Sequence, residues 1–287
     1  MVQLTDAEIT TREVLSWQGL HILHWHTSSC SQKLRIVLAL KSVEWTGHLV
    51  NLPKAENTAP WFMGINPRGL VPVLIHDGAV HVESNDLLYW LEERYPDPPL
   101  IPAGREAEVR AALAAEDALH LNLRTLSFRF VFGRTGLTKT PEQMENYRTL
   151  GATTVGGELD KSKPKELAYY DRMAVEGITD GACRAAFASF RAEYDRLDAL
   201  FARQPYVLGE TLSLLDIAWY VYTYRLSLGG YPFERLHPNV AAWFAKLDAR
   251  PEFRREVTLP TEMIAVHEAA KTKQQETGRT MAAVAGV

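Results

Sequence analysis

Between residues 20 and 103 short apolar runs alternate with stretches of helical period, and that alternation predicts a small α/β domain. LHILHW, from Leu20, reads as a strand; the run after Ser28 predicts a helix to about Lys41; GHLVNL, from Gly47, predicts a second strand. A strand, a helix and a strand in that order form a crossover unit whose strands pair in parallel. Beyond a loop holding Asn66, Pro67, Arg68 and Gly69, VPVLIHDG and AVHVES predict two strands joined at Asp77 and Gly78, residue types suited to a tight hairpin. SNDLLYWLEERYP then predicts a helix with Ser84 as its N-cap, Leu87, Leu88, Leu91 and Tyr95 on one face, and Pro96 as its stop.

From Ala103 onward strand signals vanish and the period becomes helical. EVRAALAAEDALHLNLRTLSFRFVF carries Val109, Leu113, Leu119 and Leu123 at helical steps and predicts one long helix. Residues 133 to about 181 are polar and punctuated by glycine and proline, which predicts loops and short helices. RAAFASFRAEYDRLDALFARQ restores an apolar stripe through Phe187, Phe190, Tyr194, Leu197 and Leu200. SLLDIAWYVYTY predicts a buried helix, with Ser213 and Asp216 at capping-box spacing. The tail carries a loose stripe through Met263, Ile264 and Val266 and could lid a pocket, brace a neighbour or fray. The expected division is an N-terminal arm (1–19), an α/β domain (20–97), a linker (98–103), a helical domain (104–259) and a C-terminal extension (260–287).

Composition narrows the function classes. A 287-residue chain suits two domains, and 46% hydrophobic with 23% charged residues is the profile of a soluble globular protein. A formal charge of −4 gives no broad footprint for nucleic acid, and no stretch approaches the roughly 18 apolar residues of a membrane span. Cys30 and Cys183 are the only cysteines, so a disulfide framework has no support and a cytoplasmic setting fits. The opening stretch is too acidic for a targeting peptide. His21, His24 and His26 crowd one strand, but no further cluster with metal spacing accompanies them, so no metal is expected.

The layout of strand, helix, strand, loop, hairpin and helix, followed by helices alone, resembles the cytosolic glutathione transferases. The residues that carry the resemblance are SSCSQKLRIVLALKSVEW, NPRGLVPVL, ES at a helix start, YVLGETLSLLDIAWY and HPNVAAWFAKLDARPEF, spread over roughly residues 20 to 257. Each motif is weak alone and strong in this order. The first is similar to the zeta class, the maleylacetoacetate isomerases. NPRGLVPVLIHDGAVHVES, with the long insert in the helical half, is more like bacterial β-etherases, which split β-aryl ethers of lignin fragments with glutathione. The resemblance implies a thioredoxin-like N-terminal domain with an all-helical C-terminal domain, glutathione as co-substrate, an apolar aromatic substrate, and a dimer of like chains or with a paralogue.

It also implies roles for particular residues. Pro72 is cis in the family, turning the backbone of Val71 outward to pair with glutathione like an added strand; a proline that merely starts a strand is the plainer reading. Glu83 and Ser84 stand at a helix start, where amides favour the glutamyl carboxylate and Glu83 suits the ammonium. Asp86 departs from the apolar residue common there.

For the thiol, the first turn of the helix after Ser28 is the place to look. A free thiol has a pKa of roughly 8.5, and helix-start amides plus one hydroxyl stabilise its thiolate. Counting back from KSVEW puts Ser28 where the serine of zeta and theta enzymes lies, and a simple N-cap role is compatible with that. The etherase pattern instead drops its Asn-Ser pair onto Cys30 and Ser31, so Ser29 and Ser31 stay candidates. Cys30 could itself be a nucleophile forming a mixed disulfide, as in the thiol-transferase branches, although the thioredoxin-type CxxC has serine at both outer places, 28 and 31. His26, Phe128, Phe132 and Tyr224 are candidates for the substrate wall. The leading expectation is glutathione-dependent β-aryl ether cleavage. The alternatives are the zeta isomerase reaction, Cys30-dependent thiol transfer, and a non-catalytic ligand-binding protein of the same fold.

Overall fold

The computed structural model describes residues 2–287. The chain runs through β1 (Val2–Gln3), two 3-10 turns, β2 (Leu20–His24), α1 (Ser29–Leu40), β3 (Thr46–Leu49), α2 (Pro60–Met63), β4 (Val73–His76), β5 (Ala79–Val82) and α3 (Ser84–Arg94). Next come α4 (Glu106–Asp117) and α5 (His120–Leu126), which continues into a π-helical turn at Ser127–Val131. α6 (Pro141–Thr149), the hairpin β6 (Thr154–Val155) and β7 (Glu158–Leu159), and α7 (Ser162–Glu176) follow. The rest is helical: α8 (Asp180–Phe201), α9 (Leu214–Leu228), α10 (Phe233–Leu236), α11 (Pro238–Asp248), α12 (Pro251–Val257), α13 (Thr261–Glu276) and α14 (Met281–Ala285). Two compact units result: the chain up to Pro98 with Leu137–Val175, and Pro99–Gly136 with Glu176–Val287.

The first unit is built on a sheet in the order β1-β5-β4-β2-β3. β2 and β3 pair in parallel across α1, as the crossover demands, and β4 runs antiparallel to both β2 and β5. Asp77 and Gly78 take φ of 49° and 80°, the left-handed pair that a two-residue hairpin needs. Side chains alternate between the faces. Leu23, Val73, Ile75, Val80 and Val82 share a core with Leu4, Ile9 and Val14 of the N-terminal segment and with Phe62 and Ile65. Ile22 and Leu74 point the other way and are equally shut from solvent. The expected arm is thus part of the fold: Val2 and Gln3 add a strand to β5, opposite Val82 and His81. In α3 the N-cap is Glu83 rather than Ser84, which is the first helical residue.

The insert 137–175, which the polar pattern left among the helices, belongs to the sheet unit. Glu8 of the N-terminal segment accepts the amides of Gly156 and Gly157 at 3.0 and 2.9 Å. Gln143 donates to the carbonyl of Lys54, and Val155 enters the sheet core. The segment buries scattered residues, Met144, Tyr147, Tyr169 and Met173, so its polar average hid the 15-residue helix α7.

In the helical unit α9 is buried from Leu214 through Leu226, and its start is closed by the capping box. Asp216 accepts from Ser213, from the Val207 amide and from Trp243 Nε1. The long helix expected from residue 108 is interrupted instead. The Leu119 amide turns to Glu116 in a tighter three-residue step, and the helix then widens into the π turn. The tail forms α13 and α14, packed on the π turn and on α8. Its buried residues are Met263, Ala270, Met281 and Val284, whereas Ile264 and Val266, expected on the apolar stripe, are exposed.

His24 and His81 are buried in the sheet unit, and desolvation pushes them down to about 3 and about 4, with the charge of Arg35 adding to the effect on His24 and that of His76 to the effect on His81. The unfolded chain binds these protons near pH 6.5 and the folded chain does not. Stability therefore declines as pH falls from about 6.5 toward 4, by up to about 1.4 kcal/mol per pH unit for each such histidine. Urea unfolding at pH 7, 6 and 5 should show a shallower decline for His81→Gln than for the native chain. An identical slope would mean that His81 titrates normally when folded.

Candidate active site

Ser28 is the N-cap of α1: its backbone is extended, its hydroxyl accepts from the Ser31 amide at 3.3 Å and its carbonyl accepts from the Gln32 amide at 2.8 Å. The same hydroxyl donates to the carbonyl of Val71 at 3.4 Å. The Val71–Pro72 bond is cis. One hydroxyl therefore joins the start of α1 to the entrance of β4. The first turn of α1 contains no acidic residue, so the partial positive charge of its amides is uncompensated from within the helix.

The loop between β2 and α1 is held from behind. Arg35, buried on α1, donates to the carbonyls of Trp25 and His26 at 3.2 and 3.1 Å, and Gln32 donates to His26 O at 3.1 Å. Arg35 also approaches His24 Nδ1 at 3.3 Å. With its pKa depressed by burial and by this guanidinium, His24 is neutral and accepts. These bonds tie the carbonyls at the strand's end to the body of α1.

The four candidates of the first turn separate by exposure. Ser28 and Cys30 are half-buried, Ser29 is buried, and Ser31 is wholly enclosed with its hydroxyl accepting from the Trp25 amide at 3.4 Å. Solvent reaches Ser28 and Cys30 and does not reach Ser31. Both cysteines are free thiols, and burial pushes Cys183 up to about 11. Among the described residues no three His, Cys, Asp or Glu side chains gather as a metal site.

Glu83 sits at φ 73°, in the left-handed region, directly before the first amides of α3. Its carboxylate pairs with Arg68, whose Nε holds Asp160 at 2.9 Å. The Asp160 side chain is 4% exposed and that of Glu83 40%, so solvent reaches the outer carboxylate and scarcely reaches the inner one. Burial works to lower the Arg68 pKa, but the two carboxylates more than offset it and hold the pKa above its usual value. The loop carrying Arg68 is clamped on both flanks. Asn57 donates to Gly69 O and Asn66 to Leu70 O, each at 2.7 Å, and Tyr147 OH donates to Arg68 O at 2.9 Å.

His26 is half-buried, with its ring edge-on to His24. Phe128 and Phe132 are half-buried on and beside the π turn of the helical unit, both under the Arg134 guanidinium. Tyr224 is buried on α9 beside Tyr220, with Arg254 over its ring. Sequence reasoning missed Arg35, Gln32, Arg68 and Asp160. Arg68 was visible in the NPRG loop, but nothing local in the sequence marks Asp160 as its partner.

A family model described as the glutathione S-transferase N-terminal domain matches residues 27–94, and one for the glutathione S-transferase C-terminal domain matches residues 168–246, together half of the chain. The chain belongs to the glutathione S-transferase family. Among curated members, a zeta-class glutathione S-transferase of Euphorbia esula is 42% identical over 84 residues, 29% of this chain and 37% of that protein. The first such relatives are thus matched over well under half their length. Protein LigF of a Sphingobium species is 26% identical over 225 residues, 75% of this chain and 83% of LigF. The crystal structure of that β-etherase superposes with a TM-score of 0.68 at 24% identity, covering 83% of this chain and 98% of LigF. A theta-class transferase of Xanthomonas axonopodis pv. citri, solved with glutathione bound, gives a TM-score of 0.57 at 25% identity over 85% of this chain and 99% of that one.

In this family member Gly69 ties the clamp together. At φ 62° it is in the left-handed region, and a Cβ there would meet Tyr147 at 2.8 Å and the Asn57 carbonyl at 3.1 Å. Gly104, at φ 76°, has nothing within 4 Å. Gly104→Ala should cost only the backbone penalty, about 1 kcal/mol, while Gly69→Ala should cost about 1–3 kcal/mol more by adding steric conflict. Paired urea titrations measure the difference, and equal losses would mean that the clamp is loose.

Proposed function

We propose that this protein is an enzyme that binds glutathione along the Val71 edge, stabilises its thiolate at the start of α1 and directs it at an apolar aromatic electrophile, cleaving β-aryl ethers. The observation that carries the reading is the Ser28 hydroxyl, which lies between the Ser31 amide and the Val71 carbonyl. A peptide paired with the backbone of Val71 would bring its cysteinyl sulfur to that hydroxyl. Ser28, once turned from the carbonyl to the sulfur, donates to the thiolate beside the amides of the first turn. The amides at the start of α3 and the part-exposed carboxylate of Glu83 suit the two charges of the glutamyl end. Ser28 is the donor we assign because it is reachable, whereas Ser31 is enclosed and Ser29 buried.

In the reaction, the thiolate attacks the carbon that bears the aryloxy group next to a ketone. The C–S bond forms as the C–O bond breaks, and the electron pair leaves with the phenoxide, which takes up a proton from water. The protein contributes proximity and a lowered thiol pKa. Phe128 and Phe132, half-exposed, are better suited to an apolar substrate than the buried Tyr224. The extent of the likeness to LigF, three quarters of this chain, favours the etherase over the zeta isomerase, since the Euphorbia zeta-class match is confined to 84 residues. A dimer, usual for the fold, is part of this reading.

Mixing the protein with glutathione and a β-aryl ether ketone should release free phenol. Ser28→Ala should lower kcat by about 10- to 100-fold, the worth of one hydrogen bond to a charged group, and Cys30→Ser should change it by no more than about threefold. No phenol with clear turnover of maleylacetoacetate would move the assignment to the isomerase. Loss of activity in Cys30→Ser with retention in Ser28→Ala would move it to thiol transfer.

A further inference from the structure

The C-terminal extension is matched to the turn that carries Phe128 and Phe132. Of the 16 residues of α13 only Met263, His267, Ala270 and Gln274 are withdrawn from solvent, and their steps of four, three and four place them on one face. Half of that face is polar. His267 Nδ1 donates to the carbonyl of Val131 at 3.2 Å, and Gln274 Nε2 donates to that of Phe130 at 3.1 Å. Both carbonyls lie in the last turn before the helix ends at Phe132, where following amides run out. With Met263 and Ala270 as its only buried residues, α13 offers little apolar area, and the two acceptors decide where it seats.

The residue before these two is tied as well. Arg129 donates to the Ile178 carbonyl at 2.6 Å and to Asp180 at 2.5 Å, and Asp180 pairs in turn with Arg279, between α13 and α14. π-helical geometry is rare on its own, and here its backbone and side chains are held from outside at three consecutive residues. The flanking rings, Phe128 and Phe132, are half-exposed and lie 5.2 and 5.9 Å from one guanidinium, that of Arg134, so they share a face. We infer that His267 and Gln274 are positioning residues for the aromatic part of the substrate. By fixing the carbonyls of Val131 and Phe130 they fix the backbone from which Phe128 and Phe132 present their rings, and so set how tightly the substrate's ring is held. This rests on the reading that those two rings face the substrate.

His267→Phe keeps a ring and Gln274→Met keeps the length, and neither can donate. In the full chain at saturating glutathione, the double variant should raise KM for a β-aryl ether ketone about tenfold, the worth of one to two ordinary hydrogen bonds, with kcat within about twofold and glutathione affinity unchanged. A rise in KM at constant kcat marks lost substrate binding, which a general loosening of the fold does not produce. His267→Asn, whose amide nitrogen can take the place of Nδ1, should keep KM within about twofold of the native value. If the double variant does not fold, Gln274→Met alone should raise KM about threefold. An unchanged KM overturns the inference, even beside a lowered urea midpoint, and so does an equal weakening of glutathione binding; either result means that these contacts serve the fold alone. If the native chain releases no phenol, the proposed reaction falls, and calorimetry with the same ketone decides the positioning role: weaker binding by the double variant supports it, and equal binding or none overturns it.

Discussion

An anion is held inside a protein edge only where donors are already in place, because desolvating it without them costs several kcal/mol. In the sheet unit that requirement converges on the first turn of α1. Its amides form the positive end of the helix, no carboxylate in the turn offsets them, and the Ser28 hydroxyl links the Ser31 amide to the Val71 carbonyl. The turn stays put because its own helix reaches back to hold the approach: Arg35 and Gln32, buried along α1, take the carbonyls of Trp25 and His26. Neutral His24 completes that arrangement by accepting from Arg35.

A second constraint acts on the loop before β4. The backbone between Asn66 and Leu70 must be rigid for Val71 to present a fixed edge, and it is clamped from within the sheet unit by Asn57 and Asn66 and by Tyr147 of the insert. The insert thus rigidifies the edge, and through Asp160 it also holds the Arg68 guanidinium that pairs with Glu83. Placing a strained, left-handed glutamate at this position is a local cost that the surrounding bonds support, as is common where a ligand is to be gripped.

The sequence made one half of this legible. The switch from period two to helical period announced the order of the sheet unit, Asp77 and Gly78 announced the hairpin, and the spacing of Ser213 and Asp216 announced the cap of α9. Hydroxyls before an apolar helix likewise announced its N-cap, which is Ser28, but left Ser28, Ser29, Cys30 and Ser31 all open for the chemistry. The insert was opaque because its buried residues, Met144, Tyr147, Val155, Tyr169 and Met173, follow no single period and sit among charges. Arg68 stood in a quoted motif, but its partners lie 15 and 92 residues away. Local pattern carries no information about such pairings. The N-cap of α3 fell one residue early because a glutamate at positive φ is not a type that capping rules favour. In the tail, a stripe of three apolar residues suggested one buried face; of the three only Met263 is buried, together with Ala270, on a helix packed against the π turn.

The central claim is that the start of α1 stabilises a bound thiolate. It is tested most directly by titrating glutathione bound to the protein and following the ultraviolet absorbance of the thiolate as pH rises. The account predicts a bound thiol pKa at least about one unit below the free value of roughly 8.5, with the shift diminished in Ser28→Ala. Saturating glutathione that binds and titrates as it does in water would contradict it.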